Sequence, residues 1–356
     1  MEASIGLRGI DPPDGGCGPR TAPRPADFGP RGGDSPLKAL ITGAGGFSGS
    51  HLVEYLLGQG LEVIALASPH DDLDNLRPGL ERIELIRADV RDSETIFRIL
   101  AYHHPHRMYH LAALSSPQES LRNPALTYEV NLSGTLNILE GWRREAFDSR
   151  LLFVSTSEVY GPVGSERMPL REDCPLSPRT PYAGSKAAAE LIVEQYQASY
   201  GLPVVLVRPF NHTGPRQSAG FVCSSLAQQV ALMEAGLQPP VLTVGNLRVR
   251  RDFTDVRDIV RGYDLLLEHG RPGEVYQLCS GRPVSIEEVV GILSSLVSVP
   301  VKVIVDQSRV RPNDPAEFWG DPGKARRTVD WVPEFRLEKT LQDLKEYWRG
   351  LVPKQA

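Results

Sequence analysis

A glycine-rich turn between an apolar run and a helical pattern constrains this chain more than any other feature. Residues 38–41 are mostly apolar, and residues 42–49 then read T-G-A-G-G-F-S-G, with glycines at Gly43, Gly46 and Gly49. Glycines let main chain approach an anion, and the free N–H groups and dipole of a helix N-terminus favour negative charge there. The setting predicts a pyrophosphate-binding turn, whereas a glycine cluster alone would equally suit a plain tight turn.

Composition limits the remaining possibilities. The chain has 356 residues, of which 41% are hydrophobic and 23% charged, as in ordinary globular proteins. A net charge of -5 gives no reason to expect a nucleic acid or a membrane surface as partner. The four cysteines form no C-x-x-C pair, which predicts reduced thiols in the cytoplasm, with no disulfide framework and no metal site.

The first 36 residues differ from the rest. Fifteen of residues 1–36 are Gly or Pro, and apolar periodicity is absent. This composition predicts a disordered tail outside the fold. A transit peptide is an alternative that the acidic residues of the segment disfavour.

From Leu37 onward, apolar runs alternate with helical patterns. Strands are predicted at 37–42, 61–67, 83–88, 107–111, 150–156 and 203–209. Helices are predicted at 46–58, 93–101, 121–146 and 182–200. This alternation predicts an α/β fold with a parallel sheet covered by helices, and a dinucleotide would lie across its carboxyl edge.

The strand ends that would face the adenosine half of a dinucleotide are less informative. The second strand ends without the usual acidic residue or arginine, so NAD and NADP are not distinguished, and Ser68 and His70 are the nearest polar candidates. Asp89, at the end of the third strand, could accept a hydrogen bond from the adenine amino group. Its alternative role is to cap the next helix, which Asp92 or Ser93 would fill equally well.

Two polar segments follow later strands. Residues 155–161 read S-T-S-E-V-Y-G after a buried strand, where hydroxyls and a carboxylate are costly to bury. Tyr182 and Lys186 are four residues apart at the start of a helical segment, hence on one face. A nearby ammonium favours phenolate, so we expect it to lower the pKa of Tyr182 and make this residue an acid–base catalyst.

Together, the glycine turn, the S-T-S-E strand end and the Y-x-x-x-K pair resemble the extended short-chain dehydrogenase/reductase family of sugar-nucleotide epimerases, dehydratases and reductases. The resemblance covers about residues 37–350 and implies a Rossmann-type doubly wound sheet. It implies that Thr156 bonds the substrate oxygen, with Glu158 beside it, and that Lys186 holds the nicotinamide ribose. The cofactor-binding residues it implies are Gly43, Gly46, Phe47, Ser48, Gly49, Asp89, Val90, Leu111, Ala112, Ala113, Tyr182, Lys186 and Pro209.

Residues 208–217, R-P-F-N-H-T-G-P-R-Q, look like the GDP-4-dehydro-6-deoxy-D-mannose reductases of that family, as do residues 251–258. The resemblance implies NAD(P)H-dependent reduction of the 4-keto group of a GDP-linked 6-deoxy sugar, to a product of the GDP-D-rhamnose type. Substrate would be bound by Ser157, Glu158, Asn211, Arg251, Arg311 and Asp314.

Three alternatives remain open. The T-S-E sequence also suits a GDP-mannose 4,6-dehydratase in which Glu158 removes a proton, although the glycine turn lacks the Gln-Asp typical of those enzymes. Another nucleotide-sugar epimerase or dehydratase is the second alternative. A dinucleotide-sensing subunit without catalysis is the third, and the intact Thr156, Tyr182 and Lys186 disfavour it.

The resemblance also divides the chain. Residues 37–210 would form the dinucleotide-binding domain, and residues 211–350 a smaller substrate domain interleaved with it. In the second part, helices are predicted at 219–235, 255–268, 285–297 and 338–349, and short strands at 241–244, 274–279 and 301–305. A homodimer is expected through the helices at 121–146 and 182–200.

Overall fold

Seven parallel strands form the central sheet of the computed structural model, which describes residues 36–310 and 315–352. The predicted tail lies outside the described residues apart from Pro36, and so do Arg311 and Asp314. The sheet strands are β1 (Lys38–Thr42), β2 (Glu62–Ala67), β3 (Ile83–Arg87), β4 (Arg107–His110), β5 (Arg150–Val154), β6 (Val204–Pro209) and β11 (Val275–Leu278).

The strand order is β11-β6-β5-β4-β1-β2-β3, so β4 is the middle strand, and later strands are added outward on both sides of the β1–β4 pair. All six neighbouring pairs are parallel. The direction of winding reverses between β1 and β4, which opens a crevice at their carboxyl ends. There Leu111 N donates to Thr42 O at 3.2 Å. The predicted doubly wound α/β fold is therefore confirmed.

The apolar runs form strands because helices cover both faces of the sheet. The helices are α1 (Phe47–Gly58), α2 (Ser93–His103), α3 (Pro117–Arg122), α4 (Pro124–Tyr128), α5 (Gly134–Glu145), α6 (Pro181–Tyr200), α7 (Val222–Glu234), α8 (Val256–His269), α9 (Ile286–Ser295), α10 (Gly323–Val329) and α11 (Leu337–Leu351). One core cluster joins the sheet to α1 and α8, and a second joins its other face to α2, α5 and α6.

The helix predicted at 121–146 is confirmed from Pro124 to Glu145 and wrong only at its start. The backbone is helical without a break through α4, a π-helical turn at Glu129–Ser133 and α5, whereas α3 is a separate helix. Pro124 disfavours helical backbone at the residue before it, and Asn123 lies between α3 and α4 with φ -130°. The apolar periodicity continued through this break and concealed it.

The C-terminal part contributes a third apolar cluster and three small sheets. Helices α7, α9 and α11 pack together over β8 (Val241–Val244), which pairs with β13 (Lys302–Val305). The remaining strands are β7 (His212–Thr213), β9 (Arg250–Asp252), β10 (Thr254–Asp255), β12 (Pro283–Ser285) and β14 (Glu317–Phe318).

The chain returns to the main sheet within this part. Strand β11 pairs with β6, and α8 packs beside α1 under the sheet. The described residues belong to one compact unit. The division at residue 210 into two interleaved domains stays a prediction.

Candidate active site

Helix α6 begins where it can present Tyr182 and Lys186 on one face. Thr180 caps the helix by accepting a hydrogen bond from Ala183 N at 3.1 Å, and Pro181 occupies the first turn. The start of the helix at this point places Tyr182 in the first turn and Lys186 one turn later. Both side chains are buried, with 8% and 2% of their surfaces exposed.

The carboxyl end of β5 meets this helix face. Lys186 Nζ donates to Val154 O at 2.7 Å and lies 4.9 Å from the centroid of the Phe153 ring. The Tyr182 hydroxyl is hydrogen-bonded to the side chain of Thr156. The structure therefore brings together three of the four predicted catalytic residues.

The ionisation of this pair differs from the expectation. Burial raises the pKa of Tyr182, the Glu158 carboxylate raises it further, and the hydrogen bond to Thr156 lowers it only in part. Burial also lowers the pKa of Lys186 to about 8, against the opposing effect of Glu190. The predicted lowering of the Tyr182 pKa is wrong, because the desolvation of a buried phenolate outweighs a neighbouring ammonium.

The segment after β5 holds the fourth predicted catalytic residue. Thr156 Oγ1 accepts from Glu158 N at 3.2 Å and so caps a 3-10 helix at Ser157–Tyr160. Ser157 is buried, whereas Glu158 is half-buried and close enough to Tyr182 to affect its pKa. The 3-10 helix thus places the Glu158 carboxylate near the Tyr182 phenol.

The glycine turn has the geometry that an anion cradle needs. Gly43 has φ +73°, and a methyl group there would lie 2.8 Å from Ala112 N. A methyl group at Gly49 would overlap Gly43 O, and one at Gly46 would lie 3.3 Å from the same oxygen. Helix α1 follows with Gly46 as its N-cap. The close main-chain packing of this turn, followed directly by the N-terminus of α1, fits the pyrophosphate of a dinucleotide.

Small residues line the crevice opposite the turn, as predicted. Ala112 N donates to Thr42 Oγ1 at 3.2 Å, and the Thr42 hydroxyl lies 2.7 Å from His110 Nδ1. Burial lowers the pKa of His110 to about 3, so the imidazole is neutral. Leu111 and Ala113 are half-buried in the same loop.

The predicted adenosine-binding residues lie at the end of β3. The Asp89 carboxylate accepts from Arg91 Nη2 at 2.7 Å and from Arg91 N at 2.9 Å, and the guanidinium lowers the pKa of Asp89. Asp92 caps α2, with Thr95 N donating to it at 3.2 Å. Val90 is buried beside these residues. The helix-capping role therefore falls to Asp92, and adenine binding by Asp89 stays a prediction.

An acidic residue that the sequence analysis missed lies beside the glycine turn. Asp71 Oδ2 accepts from Ser68 N at 3.0 Å and would lie 3.4 Å from a methyl group at Gly45. Arg87 Nη2 reaches the same loop from β3 and donates to Pro69 O at 2.7 Å. Asp71 was missed because it lies in the loop after β2, which folds back and brings its carboxylate beside the glycine turn.

Asn131 is a second residue that sequence reasoning missed. It lies in the π-helical turn, fully buried, and donates from Nδ2 to Ser185 Oγ at 2.9 Å. Its Oδ1 accepts from Leu114 N at 2.8 Å, which ties the loop after β4 to α6. Ser185, which lies directly before Lys186 on α6, is thereby held in place. A π-helical turn leaves no clear periodic signal in a sequence.

The loop after β6 joins the substrate side to the glycine turn. His212 Nε2 lies 2.9 Å from Ser48 Oγ, and its ring stacks on Phe47 at 5.8 Å between centroids. Pro209, which ends β6, pairs with Leu278 of β11. Phe47, Ser48 and Pro209 were predicted to contact cofactor, and that role stays a prediction.

The described residues predicted to bind substrate lie at two places. Asn211 is exposed, and its main-chain oxygen accepts from Thr254 N at 3.0 Å. Arg251 is half-buried on β9 and donates from Nη1 to Pro315 O at 3.0 Å. Arg251 therefore contacts the segment that directly follows residues 311–314, which lie outside the described part of the chain.

Within residues 36–310 and 315–352, no group of three or more His, Cys, Asp or Glu side chains is arranged to hold a metal ion. No helix of this part has the length and apolar character needed to cross a membrane.

Comparison with known proteins gives a consistent set of matches. A model of the family described as GDP-mannose 4,6 dehydratase matches residues 40–344 of this chain. The GDP-6-deoxy-D-mannose reductase of Pseudomonas aeruginosa is 34% identical over 322 residues, which cover 88% of this chain and 98% of that protein.

Two solved structures illustrate the similarity of fold. RMD from Pseudomonas aeruginosa complexed with NADPH has a TM-score of 0.79 at 33% identity, covering 89% of this chain and 100% of the other. The UDP-glucose 4-epimerase of Thermus thermophilus in complex with NAD has a TM-score of 0.79 at 31% identity, with the same coverage of both chains.

Proposed function

The chain belongs to the GDP-mannose 4,6-dehydratase family of NAD(P)-dependent nucleotide-sugar enzymes, and on that premise we propose that it reduces the 4-keto group of GDP-4-dehydro-6-deoxy-D-mannose. The product is a GDP-6-deoxy-hexose of the GDP-D-rhamnose type. The predicted membership of the extended short-chain dehydrogenase/reductase family is confirmed. The cofactor is NAD or NADP, as in the two similar structures.

The grouping of Tyr182, Thr156 and Lys186 at the carboxyl end of β5 supports the proposal. Reduction of a ketone needs a proton donor at the oxygen, and a protonated phenol beside the Thr156 side chain meets that need. Burial and the Glu158 carboxylate raise the pKa of Tyr182, so its phenol is protonated at neutral pH.

When bound, a reduced nicotinamide would supply hydride chemistry at C4 of the sugar. Tyr182 would give its proton to O4 while Thr156 holds the same oxygen, so that the C=O group becomes CH–OH. The main chain of the glycine turn and of Ala112 would bind the dinucleotide, and Lys186 would hold the nicotinamide ribose. Orientation of the reacting atoms supplies much of the rate.

The side chains proposed to bind the GDP-sugar are chosen for their charge and their hydrogen-bonding groups. Arg251, on β9, suits the diphosphate of GDP because a guanidinium binds phosphate through two parallel hydrogen bonds. Asn211, exposed after β6, offers both a donor and an acceptor to a sugar or phosphate oxygen. Glu158 and Ser157 would contact sugar hydroxyls, and Arg311 with Asp314 would complete the GDP site.

The proposal is tested by mixing the purified protein with GDP-4-dehydro-6-deoxy-D-mannose and either NADPH or NADH. We expect the absorbance of the reduced nicotinamide to fall and the sugar product to be a GDP-6-deoxy-hexose. The Tyr182→Phe variant should turn over about 10²- to 10⁴-fold more slowly. Cofactor oxidation that is independent of the keto sugar would contradict the proposal.

GDP-mannose 4,6-dehydration is the second candidate. The half-buried Glu158, close to Tyr182, favours it because a carboxylate at this place could remove a proton from the sugar. Incubation with GDP-mannose and oxidised cofactor, without keto sugar, separates the two reactions. Only a dehydratase would produce a 4-keto sugar, and Glu158→Gln would then abolish its formation.

A homodimer is proposed from the exposed surface of the helices on one face of the sheet. Four leucines of α3 to α6 are exposed: Leu121 by 63%, Leu126 by 37%, Leu136 by 37% and Leu191 by 64%. A second copy of the chain would cover such apolar surface. Sedimentation should give a dimer for the native chain and a monomer for Leu191→Glu. The control Leu351→Glu, at the end of α11, should remain dimeric.

A further inference from the structure

A buried ion pair lies directly behind the candidate catalytic residues. Glu190 of α6 and Arg208 of β6 have 1% and 4% of their surfaces exposed. The Glu190 carboxylate accepts from Arg208 Nη2 at 2.7 Å and from Nε at 3.1 Å. It also accepts a short hydrogen bond from Ser155 Oγ. These hydrogen bonds connect α6 to β6 and to the residue that follows β5, at the carboxyl edge of the sheet.

Arg208 anchors the pair to the neighbouring elements. Its Nη1 donates to Tyr160 OH at 3.0 Å and to Glu172 O at 3.0 Å. Gln277 of β11 donates to the same Tyr160 hydroxyl at 2.6 Å. Burial of two charges costs desolvation energy that an apolar pair would avoid, so stability alone explains this arrangement poorly.

The position of Glu190 relates it to the reaction. Tyr182, Lys186 and Glu190 follow one another at intervals of four residues, hence on one face of α6. Tyr182 contacts Thr156, Lys186 contacts the main chain of Val154, and Glu190 contacts the residue between these two. Three contacts from one face of α6 therefore hold the end of β5 and the two residues that follow it.

We propose that Glu190 and Arg208 are a positioning pair for the catalytic residues. Glu190 supplies a fixed negative charge beside the Lys186 ammonium and holds Ser155, and with it Thr156, against α6. Arg208 holds the carboxylate in place through two hydrogen bonds. This inference rests on the proposed function, because Glu190 and Arg208 can position catalytic residues only if Tyr182 and Lys186 are catalytic.

The groups that face Lys186 from each neighbouring element support this assignment. From β4, His110 faces Lys186 and is neutral, because burial and, to a smaller extent, the Lys186 ammonium lower the pKa of His110 to about 3. From β5, the carbonyl of Val154 and the Phe153 ring face the ammonium. On α6, Tyr182 stays protonated, and Glu190 opposes the lowering of the Lys186 pKa by burial.

Other polar and charged groups near Lys186 interact with residues other than Lys186. Glu158, in the 3-10 turn after β5, raises the pKa of Tyr182. Arg208 of β6 lies beyond Glu190 and bonds to it. Asn131 of the π-helical turn is neutral and bonds to Ser185. The counter-charge of Lys186 is therefore the carboxylate of Glu190.

Lysine chemical shifts test the proposal without cofactor or substrate. The chain has seven lysines, so carbon-13 at lysine Cε gives few resonances, and Lys186→Arg identifies the one that belongs to Lys186. In the native protein we expect this resonance to titrate near pH 8. In Glu190→Gln the midpoint should fall by about one pH unit or more, because the opposite charge is lost.

Two further variants keep the test decisive. The double variant Glu190→Gln with Arg208→Gln removes both charges of the pair. It can replace Glu190→Gln in the test if that single variant fails to fold. Its Lys186 midpoint should lie between those of the native protein and of Glu190→Gln. Glu172→Gln makes the same change at a half-buried carboxyl, which accepts from Gln277 N at 3.1 Å, and should not move the midpoint. An unchanged Lys186 midpoint in Glu190→Gln and in the double variant would overturn the proposal.

The affinity for NADPH as a function of pH gives a second readout. If Lys186 holds the ribose as an ammonium, the alkaline loss of affinity should begin at lower pH in Glu190→Gln, by the same shift as the resonance. A merely structural pair would lower thermal stability in Glu190→Gln and Glu172→Gln alike and leave this pH profile unmoved. Failure to reduce a keto sugar would remove the proposed reaction and leave the lysine titration as evidence on the pair.

Discussion

The two ends of the candidate site are built from different parts of the chain. At the glycine turn, the main chain forms the site, and the absence of side chains at Gly43 and Gly49 lets the turn pack closely against Ala112 and against itself. At the junction of α6 with β5, buried side chains do the work, and their protonation depends on what surrounds them. A main-chain site depends on shape, whereas a side-chain site depends on burial and charge.

The strongest test of this contrast removes one hydroxyl from the side-chain end. Tyr182→Phe should lower turnover of the keto sugar about 10²- to 10⁴-fold, because the proton donor is lost. Cofactor affinity should stay within a few-fold of the native value, as measured by fluorescence titration. Tyr196→Phe makes the same change farther along α6, where the hydroxyl bonds Glu140 at 3.0 Å, and should keep turnover. Equal losses in both variants would remove Tyr182 from its role.

The second test uses the pH dependence of stability. Burial lowers the pKa of Lys186 from 10.5 to about 8, so between these values the unfolded chain binds a proton that the folded protein does not. The unfolding free energy of the native protein, relative to Lys186→Met, should therefore rise as the pH increases through this window. The whole change should be roughly 3 kcal/mol, at about 1.4 kcal/mol per unit.

Urea unfolding of both proteins at a series of pH values measures this difference. Below pH 8 the cost of the buried ammonium is fully present, so the relative stability should be lowest and level there. A relative stability that falls with rising pH would mean that Lys186 gains rather than loses proton affinity on folding.

A methyl group tests the main-chain end. Gly49→Ala should raise the dissociation constant of the cofactor about ten- to a hundred-fold, because the methyl group would displace Gly43 O and with it the donors of the turn. Gly58→Ala, in the same helix, has no heavy atom within 4 Å of the added methyl group. This control should bind cofactor normally and be slightly more stable.

The smallest expected effect concerns the choice of cofactor, at the edge of the glycine turn. Asp71 carries a negative charge that disfavours a ribose phosphate, so Asp71→Asn should raise the preference for NADPH over NADH about five-fold. Asp72→Asn is the control, because Asp72 is exposed and accepts from Asp74 N at 2.9 Å. The ratio of the two dissociation constants is measured for each variant. A ratio that moves equally in both would assign the effect to net charge alone.

Much of the fold was predictable, because apolar runs and helical periodicity report burial directly. The seven sheet strands were all predicted within two residues at either end, and Tyr182 with Lys186 lies on one helix face as their spacing required. The helix predicted at 121–146 was wrong at its start because an apolar face can continue through a break at Asn123. Asp71 and Asn131 were missed because a loop and a π-helical turn bring them to the site from outside any periodic pattern.

The sequence by itself determined the order of strands and helices, the glycine turn and the residues that share a helix face, since these follow from local chain geometry. Only the tertiary structure decided which groups are charged. The phenol of Tyr182 remains protonated, the pKa of Lys186 falls to about 8, and Glu190 becomes its counter-charge. The physical reason is that ionisation depends on solvent exclusion and on neighbours from other elements, and the fold brings these together from distant parts of the chain.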